Sequence, residues 1–340
     1  SMQWIAFASF AWQVKKNWHR QQVASMLLIM FAVVLGVAFL SYNWLSHDVF
    51  NYLFNARMVV AYQANPHLNT ALDFPWDPWL RFMHNTHTSA PYGYGWTGIS
   101  LLPYILGGGK FLSSWLLFRL MAVLSLLSTG VVIWRWLAWS GLKDRQWLLF
   151  LLLCSPFVLS EVIMNAHNDL WMVLPAVSSI FILDGWRKQG GVFQLATALA
   201  LIGFSISIKF ATVVLVPLMI LMVASRWVPN LKKIQTINVT QVSLIASLLM
   251  FIPLFDGRSQ YFHPWYLLWS LMWLPLLKSK WWQALLAGFA ISSMYRYLPW
   301  IAAGGFQGDV LLHQQLVTWI GGVLLGGIFL LLLQMRERSV

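Results

Sequence analysis

ASMLLIMFAVVLGVAFLSYN (residues 24–43), followed at once by WLSHDVFNYLFNARMVVAYQANPH (44–67), is the stretch on which the fold turns. Its first part carries no charged residue, and about 20 helical residues suffice to cross a hydrocarbon core. The spacing predicts a membrane-spanning helix, with no small-residue cleavage site, so it reads as an uncleaved anchor. Its second part changes character. Asp48, Asn51 and Asn55 fall at helical spacing on one polar stripe, while Val49, Phe50, Leu53, Phe54 and Met58 supply an apolar side fit for the lipid interface. Asn65-Pro66 stops that helix. The result is an acid displayed at a membrane surface, where a charge is expensive unless it serves a function.

The same apolar signature recurs along the chain. Of 340 residues 59% are hydrophobic and 9% charged, against about 25% charged in a soluble domain. Apolar runs near 24–43, 112–138, 146–164, 170–186, 191–207, 210–225, 239–255, 262–277, 281–301 and 314–335 predict about ten spans. Residues 99–109 are expected to form a further short helix, interfacial or re-entrant. The fold class is all-α: a polytopic helical membrane protein with a long first external loop, 44–98, carrying interfacial helices. Residues 1–340 read as one transmembrane domain with no soluble appendage.

The net charge of +12 does not point to nucleic acid, because of where the charges sit. With the N-terminus inside, Lys15, Lys16, Arg20, Lys143, Arg145, Arg187, Lys188, Arg226, Lys232, Lys233, Lys278, Lys280, Arg336 and Arg338 all fall on cytoplasmic segments, the positive-inside bias. An even number of spans returns the C-terminus to that side. Asp48, Asp73, Asp77, Glu161, Asp169, Asp256 and Asp309 then face outward, as do all histidines except His19. The expectation is a multi-pass protein of a prokaryotic plasma membrane, with cytoplasmic termini and its chemistry facing the exterior or periplasm. Cys154, the lone cysteine, lies inside a span and says nothing of redox compartment.

Four constellations can carry chemistry. Asp48 can take a proton from a hydroxyl at a membrane-facing cleft, or serve with Ser46 as a helix cap. Asn165-Ala166-His167-Asn168-Asp169, with nearby Glu161, can bind sugar hydroxyls, or start the next helix. Lys209 in SISIKFAT needs a partner at membrane depth, and a lipid phosphate would serve; the alternative is snorkelling to the interface. In DGRSQYFHPWY, Arg258 can clamp a phosphate through two donors, with His263 and Tyr261 adding hydrogen bonds; a local Asp256–Arg258 pair is the other reading. His84 and His87 in HNTH lack a third ligand, so no metal site is expected.

In order, an acid in the first external loop, NP at 65–66, PYGYGW at 91–96, NAHNDLWM at 165–172, SIKF at 207–210 and RSQYFHPWYLLW at 258–269 resemble the GT-C superfamily of integral-membrane glycosyltransferases, and within it the mannosyltransferase-type branch. The likeness spans roughly residues 24–335 and rests on the order of the motifs. It implies an inverting enzyme that moves a hexose, mannose by the branch resembled, from a polyprenyl-phosphate donor to a glycan, glycolipid or protein hydroxyl. Asp48 is then the general base, and Arg258 and Lys209, with His263 and Tyr261, hold the donor phosphate. His167, Asn168, Asp169, Glu161, Asn51 and Tyr92 are expected around sugar and acceptor. His47 stands where many members carry a second acid. No cofactor is expected, although the clustered outer acids leave a divalent metal open. A transporter or flippase, and a glycan ligase with a pyrophosphate-linked donor, are the competing classes; no internal repeat of the kind a transporter would show is visible.

Overall fold

A computed structural model of the chain describes residues 2–18, 21–43, 45–256, 262–305 and 308–338, and every regular element among them is helical. Helices α1 (Met2–Asn17) and α2 (Gln21–Leu40) open the chain. After them α3 (Asp48–Tyr62) begins a long connecting region that passes through two 3-10 turns to α4 (Tyr94–Leu106). Next come α5 (Phe111–Trp139) and α6 (Gln146–Leu153). The one-turn helix α7 (Pro156–Val158) runs directly into a π-helix, Leu159–Met164. Then follow α8 (Asp169–Gln189), α9 (Val192–Ile208), a 3-10 turn at Phe210–Leu215, α10 (Val216–Ala224) and α11 (Lys232–Gln235). The last part holds α12 (Val239–Phe251), α13 (Leu268–Leu271), α14 (Lys280–Tyr295), α15 (Tyr297–Ala303) and α16 (Val310–Arg338).

Among the described residues three helical stretches are long and apolar enough to cross a membrane: Phe111–Trp139, Asp169–Lys188 and Val310–Met335. Two bent pairs raise the number to five if each is one span: Lys143–Leu153 with Pro156–Met164, bent by 49°, and Phe210–Ala224 with Pro229–Gln235, bent by 114°. Leu28, Ile29 and Val37 on α2 and Leu324 and Leu331 on α16 are exposed, a pattern matched by lipid tails rather than water. The chain is therefore built as an integral membrane protein. Helix α14 packs along α16. A Cβ on Gly288 would collide with the backbone of Gly322 and Gly326, the small-residue contact by which membrane helices gain dispersion energy.

Two expectations need correction, and one helix adds to them. Helix α3 does not lay an apolar face on lipid: Val49, Phe50, Leu53, Phe54 and Met58 are all buried in the protein core, as are Tyr52 and Ala56. Apolar periodicity marks a face that avoids water and cannot say whether lipid or protein covers it. The stretch 262–277 is not one helix; Pro264 and Pro275 each lie at the start of a 3-10 turn, Pro264–Leu267 and Leu274–Leu276, on either side of the four-residue α13, because proline lacks the N–H that would continue a helix. Finally, α1 precedes the first expected span, and Phe7, Phe10 and Ala11 on it pack beside Phe150 and Leu151 of α6.

Candidate active site

Asp48 occupies the first turn of α3, with His47 at the cap position and making no side-chain cap bond. The Ser46 hydroxyl accepts from the Asp48 N–H at 3.3 Å, so Asp48 is the capped residue and not the cap. Its carboxylate, 18% exposed, is thereby free. Tyr92 donates to Oδ2 at 3.3 Å, and Tyr52, one helical turn on, reaches the Tyr92 hydroxyl at 3.4 Å. Asn51 also lies one turn along α3, its Oδ1 buried without a partner.

The second wall comes from the break after α6. Pro156 interrupts the helix, and the chain resumes as the π-helix Leu159–Met164, a rare geometry that recurs at functional sites. It carries Glu161 inward, with no exposed surface. Ala166 then takes the left-handed conformation, φ 54°, which costs a non-glycine residue energy and turns the chain sharply. That turn presents His167 with Nδ1 3.6 Å from Asp48 Oδ2 and Nε2 3.5 Å from Glu161 Oε2. Asn168 stands at the cap position of α8 without making a cap bond, and both its amide atoms are buried and unpartnered.

Asp169 opens α8. Its Oδ1 accepts from Lys209 Nζ at 2.8 Å and from Trp269 Nε1 at 2.6 Å, while Oδ2 has no partner. Lys209 is only 7% exposed, so it does not snorkel; its partner at membrane depth is Asp169. Lys209 sits in the extended residue between α9 and the following 3-10 turn. Its ammonium lies over the Tyr92 ring at 4.8 Å and the Tyr266 ring at 5.8 Å. The motif PYGYGW explains this placement. The Gly93 N–H donates to the Ile208 carbonyl at 2.9 Å, and a Cβ on Gly93 would strike the Ser207 carbonyl oxygen. Only glycine lets the start of α4 press against the chain immediately before Lys209.

A third side comes from the C-terminal part. The Trp265 ring stacks on His167 at 3.8 Å and on His263 at 4.6 Å. Tyr297 donates to both Glu161 oxygens, at 3.1 and 3.2 Å. Arg296, 3% exposed, keeps a buried Nη1 without a partner and lies near enough to His263 to act on its charge.

The fold thus gathers Asp48, Asn51, Tyr92, Glu161, His167, Asn168, Asp169, Lys209 and His263. His47 turns elsewhere: its ring stacks on His84 at 3.9 Å and Nδ1 faces the Phe82 carbonyl at 3.1 Å. Arg258 and Tyr261 lie outside the described residues. Trp265, Trp269, Arg296 and Tyr297 were missed by the sequence reading. Arg296 carried a signal, as a basic residue inside the expected span 281–301, where a charge marks function.

Electrostatically the pocket is tense. Burial pushes Asp48 up to about 6, with Lys209 and the Tyr92 hydrogen bond pulling it back. Burial, with Lys209 and His263 adding to it, holds His167 well below the usual histidine range. Among the described residues no three His, Cys, Asp or Glu are arranged to hold a metal ion. The pocket holds a carboxylate with a raised pKa, a buried cation and several buried polar atoms without a partner.

The family model described as alpha-(1->6)-mannopyranosyltransferase, N-terminal domain (MptA/B family) matches residues 1–225. The chain belongs to this family. It is an enzyme family of the GT-C type, so the transporter reading gives way to mannosyl transfer, which needs a mannosyl donor and a glycan acceptor. The match takes in Asp48, Tyr92, Glu161, His167, Asn168, Asp169 and Lys209, and ends before His263. No curated protein and no solved structure matches the chain.

Proposed function

We propose that this chain is an inverting mannosyltransferase that takes mannose from a polyprenyl phosphate and places it on a glycan hydroxyl at the outer membrane face, with Asp48 as general base. The observation that carries this reading is the set of buried, unpartnered polar atoms in the pocket that holds Asp48: Asn51 Oδ1, Asn168 Oδ1 and Nδ2, and Asp169 Oδ2, with Arg296 Nη1 on the His263 side. Buried polar groups are nearly always paired, so unpartnered atoms grouped in one pocket with a carboxylate are suited to bond a polar ligand. A sugar supplies hydroxyls for them.

In this reading Asp48 removes the proton of the acceptor hydroxyl as its oxygen forms the new bond to the anomeric carbon. The bond from that carbon to the phosphate oxygen breaks on the opposite face, and the configuration inverts. An α-linked product from inversion requires a β-linked donor. Negative charge grows on the departing lipid phosphate, where Lys209, His263 and Arg296, with Arg258 and Tyr261, stabilise it more in the transition state than before it. Asn51, Tyr92, Asn168 and Asp169 hold sugar hydroxyls. The enclosing frame is one catalytic membrane domain of about ten spans, both termini cytoplasmic and the pocket facing the exterior or periplasm.

The test is transfer from radiolabelled polyprenyl-phosphate mannose to an α-mannoside acceptor in proteoliposomes, comparing wild type with Asp48→Asn. Transfer that collapses in the variant while it still binds donor supports the reading. Equal turnover in both removes Asp48 from the mechanism. Transfer only from a pyrophosphate-linked donor replaces the donor class.

A further inference from the structure

The His167 ring has one feature that sugar binding does not explain. An imidazole donates and accepts only in its own plane, and Trp265 fixes that plane by stacking at 3.8 Å and 21°. The two nitrogens stand near two different carboxyl groups, Nδ1 3.6 Å from Asp48 and Nε2 3.5 Å from Glu161. Neither contact is closed into an aligned hydrogen bond, as is common in catalytic arrays before substrate tightens them. Glu161 itself is fully buried; its other contacts are neutral donors, Tyr297 at 3.1 and 3.2 Å and Asn165 at 3.3 Å.

Resting on the base role of Asp48, we propose that Glu161 and His167 are positioning residues: Glu161 carries a proton and donates it to His167 Nε2, which fixes the Nδ1–H tautomer toward Asp48 Oδ2. One Asp48 oxygen is then held, and the other is left as the basic lone pair for the acceptor hydroxyl. The proton count closes: neutral Glu161, neutral His167 and anionic Asp48 before transfer, with Asp48 alone changed after it. If Glu161 loses its proton, Nε2–H turns to it, a bare Nδ1 faces the Asp48 carboxylate, and the hold is lost. The other charged or titratable groups that face this array are Tyr92 and Tyr52 at Asp48, Asp169 and Lys209 across the pocket, His263 beyond Trp265, and Arg296 and Tyr297 beside Glu161.

The experiment pairs two readouts on the full-length protein in detergent micelles. Nitrogen NMR of ¹⁵N-histidine-labelled protein, assigned by subtraction of His167→Gln, reads the tautomer without any turnover. The expected result is Nδ1–H in wild type and in Glu161→Gln, whose amide can donate to Nε2, but Nε2–H in Glu161→Asp at alkaline pH. The pH profile of transfer is expected to fall on the alkaline side in wild type. In Glu161→Gln, several-fold slower, that fall should be gone, because an amide does not titrate. An Nε2–H tautomer in neutral wild type, or an alkaline fall that persists in Glu161→Gln, overturns the proposal. A wild type that transfers nothing while showing the Nδ1–H tautomer overturns the enzymatic reading and leaves the array standing.

Discussion

Helix α8 has a buried charged cluster at each end, and the two are opposites. At its C-terminal end Asp184 and Arg187 are both buried. Arg187 donates to Asp184 through Nε at 2.8 Å and again through Nη2, to the Ile234 carbonyl at 2.8 Å and to the Ile237 carbonyl at 2.6 Å. Trp136 Nε1 donates to the second Asp184 oxygen at 3.3 Å. Each buried charge there is answered. At the N-terminal end the burial is equal, yet the Asn168 side chain has no partner and Asp169 has one idle oxygen. Both ends bear the desolvation cost of burying polar groups. One recovers it within the fold, while the other leaves polar atoms that the proposed sugar would bond. Site and scaffold are distinguished here by whether the polar atoms are satisfied, not by how deeply they are buried.

The sharpest way to break the comparison is to remove one carboxylate from the pocket at the N-terminal end of α8 and one from the satisfied cluster at its C-terminal end. Asp48→Asn should lower turnover by about 100- to 10,000-fold, the usual worth of a general base, measured as single-turnover transfer. The protein should lose no thermal stability at neutral pH. Because Asp48 is pushed up to about 6 in the fold, above its unfolded value, its ionisation opposes folding as pH rises towards 6, and asparagine relieves that. The same shift sets the wild-type rate: turnover should fall about tenfold per unit as pH drops below 6, since the protonated acid cannot accept a proton. A flat acid limb would sever Asp48 from the chemistry.

Asp184→Asn should do the reverse. It strands Arg187 without its carboxylate, and breaking a buried pair costs about 3–5 kcal/mol. Thermal unfolding in detergent should register the loss, while turnover per folded molecule stays near wild type. If instead activity fell with stability unchanged, the satisfied end would not be scaffold.

Gly93→Ala probes how the site end is assembled and sits next in size. The added methyl meets the Ser207 carbonyl oxygen, so the start of α4 must move, at about 1–3 kcal/mol for overpacking. Lys209 should shift with it, weakening donor binding more than Asp48 chemistry. Equal losses in binding and turnover would mean that the approach of α4 does not set Lys209.

These elements also mark what a sequence alone can tell. The acid of the first loop, the Asn-Ala-His-Asn-Asp cluster and Lys209 were legible because each is polar where apolar residues are expected. The partner of Lys209 was not: Asp169 is 40 residues away, and only the packing of α8 on α9 brings them together. Helix α3 was legible as a helix, but its apolar side was assigned to lipid because Phe50 and Leu53 read the same against lipid or protein. Trp265 and Trp269 were hidden by abundance, two among 22 tryptophans. Tyr297 and Arg296 reach the pocket only because α14 ends beside Glu161.

The smallest effect is the most discriminating. Asn168→Ala removes an amide whose two atoms bond nothing in the fold. Loss of packing should be offset by the disappearance of two buried, unpaired polar atoms, each of which costs about 1–3 kcal/mol while unpaired. Stability should therefore change by less than about 1 kcal/mol, far below what an equally buried asparagine with partners would show. A sugar hydroxyl that lost this amide would forfeit about 1 kcal/mol of hydrogen bonding, seen as a roughly fivefold rise in KM for donor or acceptor with kcat little altered. A large stability loss with unchanged KM would place Asn168 in the scaffold, as silent towards substrate as Asp184, and the contrast between the two ends of α8 would vanish.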